Sequence, residues 1–369
     1  MKKIPLIKPF INQAVRDKVL EVLDSGFLTE GTVTRELEEL FSKYTDTLHA
    51  IAFTSCTTGM ETALRALGIG PGDEVIVPDY TYPATASVVN IVGAKIVIVD
   101  IDPQTMLLDY AALENAITPA TKAILPVSIF GNPLDYDQLN RIKNKYGLNI
   151  IEDAACSIGA SFRGKRAGNL ADISVFSMHP RKFITTGEGG MLTTNNPGWA
   201  EWINSYKHFG MNGKDSLPFQ EIGTNYKLSD ILSAIGLEQM RIVDTLFSRR
   251  KKLASYYLEL IETVSNIEVP ATTINGDHAY QSFCVFVENR DEIMQDMRSK
   301  GIEVQIGTYA LHRQPAFYER PDCRLTSDME ISARVEKRVL TLPLFHEMTK
   351  QDQEYIIDEL TKSIVASNY

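Results

Sequence analysis

Between residues 50 and 153, five short apolar runs alternate with helical stretches, and this alternation restricts the possible folds more than any other feature of the chain. The runs are Ala50–Phe53, Glu74–Pro78, Lys95–Asp100, Lys122–Val127 and Asn149–Asp153. Helical spacing separates most of them, at Gly59–Leu67, Ala84–Val92 and Leu134–Lys145. Apolar strands that alternate with helices indicate an α/β fold with a mostly parallel sheet covered on both faces. Ligands of such sheets sit beyond the carboxyl ends of the strands. Asp79, Asp153 and Ser177 all fall near such ends.

The flanking regions read differently. Val15, Val19, Leu20 and Leu23 place a helix over 13–25 that Gly26 ends, and a second helix is expected over Thr34–Tyr44. From Lys227 to about Val264 the pattern is helical throughout, with the basic cluster Arg249–Lys252 expected on a solvated face. Ser282–Val287, a helix over 291–300, and Ile302–Ile306 form a smaller C-terminal α+β unit, closed by a helix over 351–367. A chain of 369 residues is long enough for two domains, expected at 1–245 and 246–369.

Charge and cysteine usage exclude several classes. The net charge of −10, from 37 basic and 47 acidic residues, argues against a nucleic-acid surface, although a small phosphorylated ligand needs only local donors. No run of 18 unbroken apolar residues is present, so no membrane span is expected, and no long apolar stretch follows the N-terminal Met-Lys-Lys-Ile-Pro to suggest a signal peptide. Cys56, Cys156, Cys284 and Cys323 lie far apart. They read as reduced thiols of a cytoplasmic protein, with no disulfide framework and no metal site.

The stretch Phe176–Gly190 concentrates chemistry. One lysine, Lys182, stands among Ser177, Thr185, Thr186 and several glycines, between a strand ending at Phe176 and another starting at Met191. Glycines permit close backbone approach to a ligand, hydroxyls bind phosphate, and a lysine amine with a lowered pKa attacks an aldehyde. The same residues also suit a surface hairpin with a solvated lysine. Ser55-Cys56-Thr57-Thr58-Gly59 lies between a strand and a helix, where free amides and hydroxyls cradle phosphate, or where Ser55 or Thr57 caps the helix. It is not a P-loop, and Gly68–Asp73 precedes a strand, so it reads as a turn. Asp153 is either a buried carboxylate in need of a cation, for which a protonated pyridine would serve, or a helix cap. Tyr82 either stacks on a flat heteroaromatic ring or packs at a turn.

Taken together these segments resemble the DegT/StrS group of sugar aminotransferases. The resemblance rests on Phe176–Met191, Ser55–Thr57, Gly68–Val75, Ile151–Ala155, Gly223–Lys227, Leu311–Pro315 and Leu342–Leu344, in the family's order and spacing. It implies an aspartate-aminotransferase-like fold and a pyridoxal 5'-phosphate (PLP) cofactor. By the same resemblance, Lys182 would be the Schiff-base lysine, Asp153 the partner of the pyridine nitrogen, and Tyr82 the cover of the ring. Thr57, the amide of Cys56 and the Ser177 hydroxyl would hold the phosphate. Asn225, with Lys227, would reach the phosphate of a neighbouring subunit, which implies a homodimer with shared sites. Three positions depart from the family pattern. Cys156 stands where Gln or His usually touches the phenolic oxygen, Cys56 replaces a Gly, and Lys227 replaces an Arg whose fork it cannot reproduce.

The implied activity is transfer of an amino group from an amino acid, L-glutamate by resemblance, to a keto-sugar, usually nucleotide-linked. His208, His312 and Arg313 are candidate contacts to substrate phosphates or carboxylate, or else plain surface residues; His179 and Glu188 flank the lysine without an assigned role. Two alternatives stand beside this reading. The related sugar dehydratases carry His in place of the lysine, which Lys182 opposes, and a non-catalytic regulatory protein could be built on the same fold.

Overall fold

The computed structural model describes residues 3–211 and 219–367. At its centre lies a sheet of eight strands: β1 (His49–Phe53), β2 (Glu74–Pro78), β3 (Lys95–Val99), β4 (Thr121–Ile124), β5 (Asn149–Asp153), β6 (Ile173–Ser177), β7 (Gly190–Thr194) and β8 (Cys323–Leu325). Their order is β1-β7-β6-β5-β4-β2-β3-β8. Only β7 runs against its neighbours; every other adjacent pair is parallel. The mostly parallel sheet expected from the alternation is therefore present. β4 stops at Ile124, ahead of Pro126, which has no N–H for a ladder.

All five residues of β2 are buried, as expected for a strand covered on both faces. Val75 and Val77 pack on one side with Met60 of helix α3 (Cys56–Ala66) and Val88 of α4 (Ala84–Ile91). Ile76 points to the other face, among Val97, Val99 and Leu139. The period of two along the strand separates these two cores.

Helix α3 starts at Cys56, three residues ahead of Gly59, because Ser55 and Thr58 form a reciprocal cap. Ser55 Oγ accepts the Thr58 amide at 3.1 Å, and Thr58 Oγ1 accepts the Ser55 amide at 3.1 Å.

The long helical region after Lys227 is two helices, α5 (Asp230–Met240) and α6 (Val243–Ile261), broken at Arg241 and Ile242. The basic cluster on α6 is not uniformly solvated. Arg250 is 2% exposed, with Nη1 donating to the carbonyls of Tyr280 at 3.0 Å and Gln281 at 2.8 Å. The cause is helical periodicity: Leu246, Arg250, Ala254, Tyr257 and Ile261 are all buried and recur every three or four residues along one face.

A smaller antiparallel sheet follows, in which Val339–Leu342 lies between Phe283–Phe286 and Gln305–Ile306. Only the last two residues of the expected Ile302–Ile306 strand join it; Ile302 bridges to Ile4 near the N-terminus. Ile4 packs in the core with Tyr257, Phe283, Leu340 and Ile356. Three segments thus cross the expected partition at residue 245. Ile4 joins the later core, β8 completes the large sheet, and Tyr309–Ala310 pairs with Tyr80–Thr81.

His346 lies 4% exposed between the rings of Phe10, at 5.7 Å, and Phe183, at 5.5 Å. Burial, followed by the charges of Arg250 and Arg249, lowers its pKa to about 3. The folded-state pKa is below the unfolded value, so the neutral ring's contribution is fully present above pH ~6.5 and is lost as pH falls from there towards the folded value. Unfolding titrations should therefore show stability falling across that window by about 1.4 kcal/mol per pH unit from this residue. H346Q should remove about one proton from the slope; an unchanged slope would rule out His346 as the source.

Candidate active site

A cavity of about 580 Å³ opens where the carboxyl ends of β5 and β6 meet the start of α3. Its size is in the range of small-molecule and cofactor sites. Asp153, the last residue of β5, and Ser177, the last of β6, both line it. Parallel pairing of Asp153 with Val175 puts these two strand ends side by side. Ser55, Cys56 and Thr57 reach the same space from the start of α3. β7 closes behind this turn only because residue 190 is glycine: a Cβ there would lie 2.5 Å from the Ser55 carbonyl carbon and 2.6 Å from the Cys56 nitrogen.

Asp153 is 5% exposed. One carboxylate oxygen accepts Thr85 Oγ1 at 2.8 Å and the other accepts the Ala155 amide at 3.1 Å. Burial raises its pKa above the ordinary value despite these bonds and the nearby charge of Lys182. A buried acid whose charged form is under-compensated favours a cation placed against it. No helix follows Asp153, so it is not a helix cap.

Lys182 projects from the loop between β6 and β7, and its Nζ lies 3.1 Å from Cys156 Sγ. Burial disfavours its ammonium, but Cys156, then Asp153 and Cys56, outweigh that and raise its pKa above the ordinary lysine value. Cys56 opens α3 without a positive φ, so the backbone accepts a side chain at this position. Its thiol donates to the Val175 carbonyl at 3.3 Å, and burial raises its pKa well above the usual thiol value. Tyr82, 65% exposed, lines the mouth, with its ring 6.4 Å from that of Tyr309.

Other expected site residues lie elsewhere. Thr185 and Thr186 are buried and do not face the cavity; their hydroxyls donate to the carbonyls of Met178 and Glu188, so they brace the loop. Asp79 is fully buried and accepts the His312 amide at 2.7 Å, His312 Nδ1 at 2.6 Å and Ser332 Oγ at 2.5 Å. His312 is thereby turned onto Asp79, and Arg313 pairs with Glu336 at 2.6 Å. His208 pairs with Glu30 at 2.8 Å. None of His208, His312 and Arg313 lines this chain's cavity, nor do Asn225 and Lys227, whose side chains meet at 2.5 Å near the surface. His179 and Glu188 do line it, 3.9 Å apart.

Sequence reasoning missed three contributors. Thr85 holds Asp153, and its position three residues beyond Tyr82, at the start of α4, was the available signal. Arg181 lines the mouth, with Nη1 on Gln305 Oε1 at 3.2 Å. Gln281 lines the back wall from almost 100 residues away in sequence, without a motif to mark it.

The residues present fit PLP. They combine one amine, a buried acid lacking a cation, and hydroxyls with helix amides on the side where a phosphate would sit. Comparison with known proteins agrees. The model of the DegT/DnrJ/EryC1/StrS aminotransferase family matches residues 9–361. The chain is 36% identical to GDP-perosamine synthase of Caulobacter vibrioides, over 99% of each chain. The PLP form of the putative sugar aminotransferase Spr1654 from Streptococcus pneumoniae superposes with a TM-score of 0.93 at 30% identity, covering 99% of both chains. DesV of S. venezuelae superposes at 0.92 and 30% identity, covering 98% of both. The chain belongs to the DegT/DnrJ/EryC1/StrS aminotransferase family and is a PLP-dependent aminotransferase.

Proposed function

We propose that this enzyme moves an amino group from L-glutamate to a nucleotide-linked keto-sugar, in the biosynthesis of an aminosugar for cell-surface polysaccharide. The observation that carries the reading is the convergence of Lys182, Asp153 and the Ser55–Thr57 turn on one cavity. The sugar acceptor is supported by 36% identity to GDP-perosamine synthase over nearly the full length. Retention of the lysine sets the chain apart from the dehydratase branch.

PLP supplies an electron sink that accepts charge when a substrate carbon loses a proton. Lys182 would be the covalent anchor, and its free amine would carry the proton taken from the donor's Cα. The Asp153 carboxylate would accept the N–H of a protonated ring nitrogen, and Thr85 keeps that carboxylate in place. Thr57, the Cys56 amide and Ser177, which line the cavity, would bind the cofactor's phosphate. Tyr82 would cover the ring, and Cys156 lies beside the lysine, 3.1 Å from its amine. Arg181, bonded to Gln305 at the mouth, would receive the anionic part of either substrate.

Asn225 and Lys227 are exposed or half-buried and do not line this chain's own cavity, which supports their service to a second subunit of a homodimer. His208 borders the same segment through its bridge to Asn225. His312 and Arg313 act from their Asp79 and Glu336 anchors only if a substrate reaches them from the partner's side. Four unbridged cysteines suit a reducing compartment, and we assign the cytoplasm. Among the described residues no helix is long and apolar enough to cross a membrane.

Borohydride should fix the cofactor onto Lys182, and glutamate should convert the bound cofactor to its amine form. Turnover should then appear with one member of a ketosugar-nucleotide panel, starting with guanosine diphosphate sugars; K182R that still turns over would reject the mechanism. D153N should lower kcat about 10²–10³-fold, the scale for losing one preorganised electrostatic partner of the reacting system, and R181Q should mainly raise KM. Mixing K182A with an N225A/K227A variant should restore activity that neither has alone, whereas silence of the mixture would refute shared sites.

A further inference from the structure

The loop Met178–Gly189 that carries Lys182 contains no helix or strand; the Lys182 and Thr186 amides pair within it, on the His179 carbonyl at 2.8 Å and the Met178 carbonyl at 2.9 Å, and other peptide groups need partners from outside. Two buried glutamines provide them. Gln281, 5% exposed, accepts the Phe183 amide at 2.7 Å through Oε1 and donates Nε2 to the Arg181 carbonyl at 2.7 Å. These are the peptide groups on the two sides of Lys182. Gln239, fully buried on α5, treats Thr185 in the same way, accepting its amide at 3.2 Å and donating to its carbonyl at 2.7 Å. Gln281 is in turn fixed by Arg250, whose Nη1 donates to the Gln281 carbonyl at 2.8 Å while its guanidinium lies 5.2 Å from the centre of the Phe183 ring.

We infer that Gln281, backed by Arg250 and seconded by Gln239, is a positioning residue that fixes the backbone of the reactive lysine. A primary amide offers a donor and an acceptor from a single plane at any pH, without carrying charge. Placed across Lys182, it does the work of a neighbouring strand and leaves only the side-chain torsions free. The amine must reach a cofactor held at its phosphate and at its ring nitrogen, so a wandering Cα would cost reach and alignment. This inference rests on Lys182 being the cofactor lysine.

The test uses full-length apoenzyme reconstituted with PLP, in wild type, Q281L and Q281E. Four readouts are compared: rate of attachment, cofactor fixed at Lys182 by borohydride, the pH midpoint of the bound cofactor's visible absorbance change, and the split of kcat against KM. Q281L should attach about tenfold or more slowly and lose kcat in like proportion, with KM for glutamate little changed and the absorbance midpoint displaced. Q281E should be impaired where its acid is ionised, because a carboxylate cannot donate to the Arg181 carbonyl. Its rate relative to wild type should recover as pH falls and the acid regains a donor. Q281L relative to wild type should stay flat with pH. If Q281L does not fold, the pH response of Q281E, the closer isostere, decides alone. Wild-type attachment rates in folded Q281L, or a flat Q281E ratio, would overturn the clamp while leaving Lys182 in place. No fixation at Lys182 in wild type would overturn the lysine's role and the clamp together.

Discussion

The parallel pairing of β5 with β6 is the constraint on which the catalytic crevice depends. Its register sets Asp153 opposite Val175 and brings Ser177 to the same rim. Beneath Asp153, on the opposite face of the strand, Glu152 is fully buried and accepts Ser128 Oγ at 2.5 Å, Tyr136 OH at 2.8 Å and Ser174 Oγ at 2.8 Å. Burial raises its pKa despite three donors. Two adjacent acids thus serve opposite ends: Glu152 braces β6 and its surroundings from one face, and Asp153 presents charge to the crevice from the other. The alternation of a strand makes that division unavoidable.

A second anchor joins the two halves of the chain. The Asp79 carboxylate gathers the His312 backbone, the His312 ring and the Ser332 hydroxyl, and next to it the Tyr80 hydroxyl accepts the Thr308 amide at 3.1 Å. Gly307 can lie there because a Cβ would come within 2.3 Å of that hydroxyl. Gly307 and Thr308 form a wall of the cavity, so the end of β2 shapes the site without contributing a reactive group.

Much of this was legible in the sequence because it is written in local periods. Seven of the eight strands of the large sheet, the helix closed by Gly26 and the hairpin around Lys182 follow from spacing and turn chemistry within a dozen or so residues; β8, three residues long, does not. Function was legible for a different reason: several short segments in a fixed order resemble one family. The illegible parts are long-range. Asp79 looked like a ligand-site acid because its strand position was right; its actual partners lie more than 230 residues away. Thr185 and Thr186 looked like phosphate donors because a hydroxyl's direction does not show in a sequence. Arg250 was grouped with its charged neighbours, although its place on the stripe with Leu246, Ala254 and Tyr257 marked it as inward-facing.

The peripheral strand β8 has a consequence for how substrates enter. It comes from the C-terminal part of the chain yet is hydrogen-bonded in parallel to β3, while Ile4, from the other end, is stitched into the small sheet's core. A swinging motion of the smaller half as a free jaw would have to unzip that strand and withdraw that isoleucine. The pairing of β8 and the burial of Ile4 thus resist rigid-body opening of the crevice and leave smaller movements of rim side chains as the less costly way to admit a ligand.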